Sequence, residues 1–424
     1  MRVRRYLAVL LVVPLMALSA CGDDDDGGGG GQTARGELAG TSITFSISLD
    51  QAEQAAIDDL VRQFESDTGA DVTVTAITSS DLPGKLRVDV GAGRPTVHLF
   101  AQDNLALAVL VQENLVEDLS DVQVPPEVLS SMTPERFNGR QYFLPFRPNV
   151  RVAYVNTERF RSANARPPST TEEYRSVAQA LRNAGGGPKV TLSLAQGDPA
   201  AVTISEWIVA FGGNPLILND DGSVRAFEFI QGLWRDGLLA RESLLGKFDT
   251  EPEYLIGETA WLAQNWPVTS AQLAEQGLLG RFDVYEGPRG PARAAHVIGG
   301  DVLGIPRGVT PEQRRAAVAL AQFLVSRGAQ ETLAERNAWP SVRDDAYGRV
   351  PTEQKETFDA VQKALESGWY RPNVVYWSDV SEQMNAAVRR ILEGNENVRT
   401  VLDELHGRIE AAARQKGAQY PPTS

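Results

Sequence analysis

Between Thr41 and Ile77 the chain changes its hydrophobic period twice, and that change constrains the fold more than any other feature. Ile43, Phe45, Ile47 and Leu49 alternate with polar neighbours, the period-two pattern of a strand. Ile57, Leu60, Val61 and Phe64 then recur at helical spacing as far as Gly69, after which Val72, Val74 and Ile77 resume the strand pattern. Strand, helix, strand is a β-α-β unit. A helix through "GKLRVDVGAG" and a buried strand "TVHLFA" continue it, so an α/β class is expected, beginning with an open, largely parallel sheet covered by helices on both faces. Ligands of such sheets bind outside the carboxyl ends of the strands. That places Asp50 and Gln51, after the first strand, and Gln102, Asp103 and Asn104, after "HLFA", where a site belongs. Asp50 and Asp103 suit helix N-caps equally well.

In "NGRQYFLPFRPNVRVAYVNTERF" two apolar strands flank a polar, proline-marked crossover. Helical patterns follow in "TTEEYRSVAQALRNAG", "VTISEWIVAFGG" and "SVRAFEFIQGLWRDGLL". The strand-like "GGDVLGIPRG" leads into one long helical run, "EQRRAAVALAQFLVSRGAQETLAER". Two further helices, "TFDAVQKALESG" and "DVSEQMNAAVRRILEG", precede an amphipathic stretch to about Arg414. No internal repeat, phosphate-binding glycine loop, dinucleotide fingerprint or nucleophile elbow is present, and Gly185 to Gly187, followed by Pro188, read as a turn.

The first twenty residues, "MRVRRYLAVLLVVPLMALSA", have the basic start, short apolar run and small-residue end of a secretory signal peptide, and are too short to span a bilayer comfortably. The only cysteine, Cys21, comes next, followed by Gly22, four aspartates and five more glycines. Leu18-Ser19-Ala20-Cys21 resembles the bacterial lipobox, which implies that Cys21 carries lipid and that 21–40 form a flexible acidic and glycine-rich tether. The remaining body is long enough for two domains and must be stable without disulfides. A net charge of −14 disfavours nucleic acid and anionic lipid as partners. The three histidines, His98, His296 and His406, are isolated, which leaves no zinc-ligand spacing, and no cofactor or metal is expected.

Six segments together resemble the extracellular solute-binding proteins of bacterial ABC sugar importers, the maltose-binding type. They are "FESDTGADVTVTAI", "TVHLFAQDNLALAVLVQENLVEDLS", "NGRQYFLPFRPNVRVAYVN", "GETAWLAQNWP", "GGDVLGIPRG" and "RPNVVYWSDVSEQMNAAVRRILEG", in the family's order. The resemblance implies a two-lobed periplasmic-binding-protein-like fold, each lobe an α/β sheet domain, with a ligand cleft and hinge between them. One lobe would comprise 41–147 plus 301–347 and the other 149–299 plus 349–414, with 415–424 a C-terminal tail. Phe146-Arg147-Pro148-Asn149 would form one hinge crossing and Gly299-Gly300 the next. The implied protein is a monomeric, lipid-anchored receptor on the outer face of the cell membrane. It would capture a di- or oligosaccharide and deliver it to an ABC permease without covalent chemistry. Two alternatives stay open: a secreted carbohydrate-active hydrolase, and the same fold holding a non-sugar solute.

A pyranose needs rings for its apolar faces and paired donors and acceptors for its hydroxyls. By the resemblance, Trp266 and Trp377 fall at stacking positions, and Phe100 stands at a third, where the family has tryptophan. Asp50, Gln51, Gln102 and Asp103 lie on matched loops, Gly300 and Asp301 on the matched strand, and Asn149 where the family has glutamate. Trp266 precedes Pro267 and Trp377 follows Tyr376 at a helix start, loop settings that favour ligand contact over core. Trp207 and Trp234, at helical spacing among apolar residues, read as core, and Trp261 suits either role. Arg371 and Arg343 suit hydroxyl contact or a salt bridge; Arg371 is kept among the site candidates.

Overall fold

The computed structural model describes residues 36–49 and 51–421. The signal segment, Cys21, most of the tether and Asp50 therefore lie outside the described residues. The folded body starts before Thr41: residues 36–40 form a turn in which Leu38 is buried and its N–H donates to the carbonyl of Thr68.

Among the described residues, nine strands form two sheets. β1 (Ser42–Ser46), β2 (Asp71–Thr75), β3 (Leu99–Asp103), β4 (Phe143–Val150) and β8 (His296–Gly304) lie in the order β2-β1-β3-β8-β4, and β9 (Gly368–Tyr370) pairs with β8. β5 (Val152–Asn156), β6 (Leu262–Asn265) and β7 (Phe282–Tyr285) make the second sheet, with β5 central and both pairings antiparallel. The β-α-β reading holds: β1 and β2 are parallel, linked by the helix Gln51–Thr68. The expectation of a largely parallel sheet needs correction. β8 returns antiparallel to both β3 and β4, so the first sheet is mixed. Its helical cover comes from one apolar cluster that includes Phe45, Ile57, Phe64, Leu320 and Leu333, and another that includes Leu82, Leu86, Phe100, Leu110 and Phe143.

Phe146-Arg147-Pro148-Asn149 is not a loop between strands. It lies inside β4, paired with β8 through Pro148 opposite Gly300 and Asn149 opposite Gly299, with a register irregularity between Pro145 and Arg147. The chain leaves the first sheet one step later, at Arg151, between Val150 of β4 and Val152 of β5. A cluster holding Val150 and Ile298 from the first sheet and Val152, Tyr154 and Ala263 from the second packs around this passage. The run expected as one long helix is two, Pro311–Leu324 and Arg327–Asn337, because Ser326 caps the second by accepting from the Ala329 N–H. The C-terminal segment packs on the body, with the Tyr420 hydroxyl donating to the Leu216 carbonyl at 2.8 Å.

Candidate functional site: the cleft at the strand ends

A cavity of about 740 Å³ opens at the carboxyl end of β3 and is lined by strands of the first sheet together with loop and helix-start residues. From the first come Gln102 and Asp103 of β3, Arg147 and Asn149 of β4, and Gly299, Gly300 and Asp301 of β8. Loops and helix starts outside that sheet contribute Asp198, Phe248, Trp266, Arg371 and Trp377. Of the residues expected at the site, the structure thus brings together Gln102, Asp103, Asn149, Trp266, Gly300, Asp301, Arg371 and Trp377. Asp50 lies outside the described residues, and Gln51 is described only as the first residue of its helix. Phe100 is placed elsewhere. It is three residues from Asp103, an odd separation that puts the two side chains on opposite faces of a strand. Its ring, fully buried, fills the place where a Cβ on Gly304 would come within 2.4 Å.

Asp103 does both things expected of it: it borders the cavity and caps the next turn, accepting from the Leu105 N–H at 2.9 Å. Burial raises its carboxyl to about 6; Arg371 opposes this, while Asp301 and Asp198 add to it. Asp301, its register partner on β8, holds Arg147 at 2.6 Å. Arg147 is also bonded to Glu53 at 3.2 Å and lies 4.3 Å above the ring of Trp339, whose indole N–H donates to the same Glu53 oxygen. The guanidinium is thereby fixed in one pose. Across the cavity Arg371, 2% exposed, donates to Asp198 at 2.6 Å, and its guanidinium lies 5.9 Å from the centre of the Trp377 ring. Gln102 Oε1 and Arg371 Nε, both on cavity-lining residues, have no protein partner.

The rings have different settings. Trp266 follows β6, is half-buried, and stands edge-on to Phe248, with centroids 5.3 Å apart. The backbone opposite it approaches closely: a Cβ on Gly299 would lie 3.0 Å from the indole, tight enough to push the ring aside. Gly300 is more constrained still, with φ of +86° and a Cβ position only 1.9 Å from the Arg147 carbonyl. Trp377 is not on a loop. It opens the helix Trp377–Val388, is 6% exposed, and belongs to the apolar cluster beneath while also bordering the cavity. Trp207 is core, stacked on Phe229 at 5.3 Å. Trp261 is buried under Lys189 and Arg159, and Trp234 is half-buried beside a separate surface hollow. Arg343 is bound to Asp345 and Glu127, away from the cleft.

Sequence reasoning missed Asp198 and Phe248 and treated Arg147 only as hinge. Asp198 carried a signal, an acid before proline at a helix start, but that marks a cap and not its direction. Phe248 sits in the irregular stretch before the helix Glu251–Ile256, where no period predicts a facing.

Two sheets joined by crossing strands, with a polar and aromatic cavity at the strand ends, define a two-lobed binding protein. The model of the family "bacterial extracellular solute-binding protein" matches residues 59–360, and the chain belongs to that family. Solved structures share its fold. The sugar-binding protein MalE of Xanthomonas citri superposes with a TM-score of 0.79 at 16% identity, covering 89% of this chain and 98% of that one. The cyclic α-maltosyl-1,6-maltose binding protein of Arthrobacter globiformis gives 0.76 at 17%, covering 88% and 99%. Maltose-bound T. maritima MalE3 gives 0.71 at 19%, covering 88% and 99%. No curated protein matches the sequence. Among the described residues, no three His, Cys, Asp or Glu side chains are grouped to hold a metal ion, and no helix is long and apolar enough to cross a membrane.

Proposed function

We propose that this protein captures a carbohydrate, a di- or oligosaccharide, in the cleft and delivers it to the transmembrane subunits of an ABC importer. The observation that carries the reading is the composition of the cavity wall. Trp266, Phe248 and Trp377 offer apolar ring surface on one side, and Gln102, Asp103, Asn149 and Asp301 offer acceptors and donors on the other. Those are the two kinds of group that a pyranose needs, and 740 Å³ is within the range of sites for ligands of that size. The family assignment and the sugars named for the structural neighbours, maltose among them, support the same reading. Binding is the whole of the activity: the ligand leaves unaltered, and closure around it prepares the surface that the permease meets.

In this reading 41–147 plus 301–347 form one lobe and 149–299 plus 349–414 the other. The pairing of β8 supports a boundary near Gly299: His296 to Ile298 pair with β9, while Ile298 to Gly304 pair with β4. The protein works as a monomer on the outer face of the cell membrane, held by lipid on Cys21 after removal of residues 1–20.

A thermal-shift screen of the protein against mono-, di- and oligosaccharides tests the function. A ligand at one hundred times its Kd adds about 2.7 kcal/mol to stability, a readily measured shift. Stabilisation by amino acids or metal ions and by no carbohydrate would sink the proposal, and a product released from an oligosaccharide would replace the receptor with a hydrolase.

A further inference from the structure

Resting on that carbohydrate reading, we propose that the saccharide is an amino-substituted one, with a protonated amine seated against Asp103. The charges around the cavity do not balance. Three carboxylates, Asp103, Asp198 and Asp301, face two guanidinium groups, Arg147 and Arg371. Each cation already has a carboxylate partner. Arg147 is held by Asp301 at 2.6 Å and by Glu53 at 3.2 Å, and Arg371 by Asp198 at 2.6 Å. Asp103 has no cation within salt-bridge distance among the described residues; its side chain accepts one backbone N–H, from Leu105. The uncommitted charge of the cavity is therefore negative.

That sign discriminates among sugars. A uronic acid or a sugar phosphate would meet only guanidinium groups already paired with a carboxylate, Arg371 keeping its Nε–H unpartnered, and its charge would add to that of Asp103. A neutral sugar could donate hydroxyls to Asp103 but would leave a carboxylate uncompensated once closure excludes water, a costly arrangement. An ammonium group removes that cost and forms the stronger, charge-assisted hydrogen bond. It also has three donors, and a second acceptor is waiting beside Asp103. Gln102, 1% exposed, lines the same cavity with its Oε1 unpartnered, its amide nitrogen being spent on the Ser79 carbonyl at 3.2 Å. Burial already holds the Asp103 carboxyl at about 6, a strain that an arriving cation relieves.

The test is calorimetric titration of the full chain at pH 7.5 with matched pairs, glucosamine against glucose and the β-1,4 glucosamine dimer against cellobiose. The amine-bearing member is expected to bind at least tenfold tighter, and added sodium chloride to weaken it more than its neutral counterpart. Asp103→Asn still offers an oxygen to cap Leu105, so the fold is retained, and it should reduce the amine-to-neutral ratio at least tenfold. Equal or tighter binding of the neutral sugars, or an unchanged ratio in Asp103→Asn, overturns this inference while leaving the carbohydrate reading standing. Binding of a simple diamine such as putrescine with no saccharide bound overturns the carbohydrate reading itself, and with it the inference.

Discussion

Replacing Trp377 by alanine should injure the protein twice, in proportions that follow from where the ring sits. The indole is 6% exposed and shares an apolar cluster with Val380, Met384 and their neighbours, so most of its surface is folding surface. Truncating a buried tryptophan costs about 3–5 kcal/mol of stability, since the cavity left behind collapses only partly. The remaining edge borders the cleft, where losing an aromatic anchor costs on the order of 2 kcal/mol of binding, about thirtyfold in Kd. Urea unfolding of the ligand-free protein reads the first loss, and calorimetric titration with the saccharide found by screening reads the second. Measuring both on Trp377→Phe, which keeps a ring in the cluster, should recover more than half of the stability. An unfolding midpoint that does not move in Trp377→Ala would refute the burial argument. A destabilised variant that is still folded at the assay temperature and binds with unchanged affinity would refute the ring's place in the cleft. Trp266→Ala is the contrast: half-buried and edge-on to Phe248, it should lose binding with less than about 1.5 kcal/mol of stability.

Gly300→Ala should destabilise by about 1–3 kcal/mol from its positive φ alone, and more from the clash with the Arg147 carbonyl, as read by denaturant midpoint. Arg151→Met should cost about 3–5 kcal/mol, because it leaves the buried Glu206, 3.0 Å from the guanidinium, without that cation; Arg151→Met combined with Glu206→Gln should recover part of the loss. Asp103 titrates near 6 in the folded protein and near 4 in the unfolded chain, so the folded state holds the extra proton between those values. Its contribution is thus full below pH 4 and is lost as pH rises through 6. Asp103→Asn should therefore gain stability on wild type from pH 4 to 7, by no more than about 3 kcal/mol, and a difference flat in pH would contradict the assigned environment. Cys21→Ser should leave the body folded but free the protein from membranes or leave its leader uncut, by fractionation and intact mass.

What could be read in the sequence was what has a period. β1, the helix Gln51–Thr68 and β2 are local, and their apolar spacing reports them directly. β8 is different: its antiparallel return between β3 and β4 joins residues about two hundred positions apart from Asp103 to Asp301, and no local pattern encodes that. The point of passage between sheets was misread because proline and charge in "FRPN" signal a loop. β8 instead accepts Pro148 opposite Gly300, where a side chain could not fit. At the site, residue type was informative and direction was not. Asp103 and Trp377, singled out from the sequence, each serve structure and border the cavity together, a sharing that only packing reveals. Phe100 failed on strand parity, and Arg147 was visible as a residue but not as one held by Glu53, Asp301 and Trp339 at once.

The helix Asp198–Ala210 begins at the cavity and carries Glu206 two turns further on. Its first residue grips Arg371, while Glu206 grips Arg151 at the passage between sheets and accepts the Val297 N–H of β8. Eight residues at 1.5 Å each set about 12 Å between these two grips, and a helix neither stretches nor shortens appreciably. It therefore works as a strut. Anything that displaces Arg371 loads one end, and the other end bears on the Arg151 guanidinium and on the Val297 N–H. The cleft wall and the chain crossings are thereby tied by one rigid member, which keeps Arg371 at a set distance from the points where the chain passes between sheets.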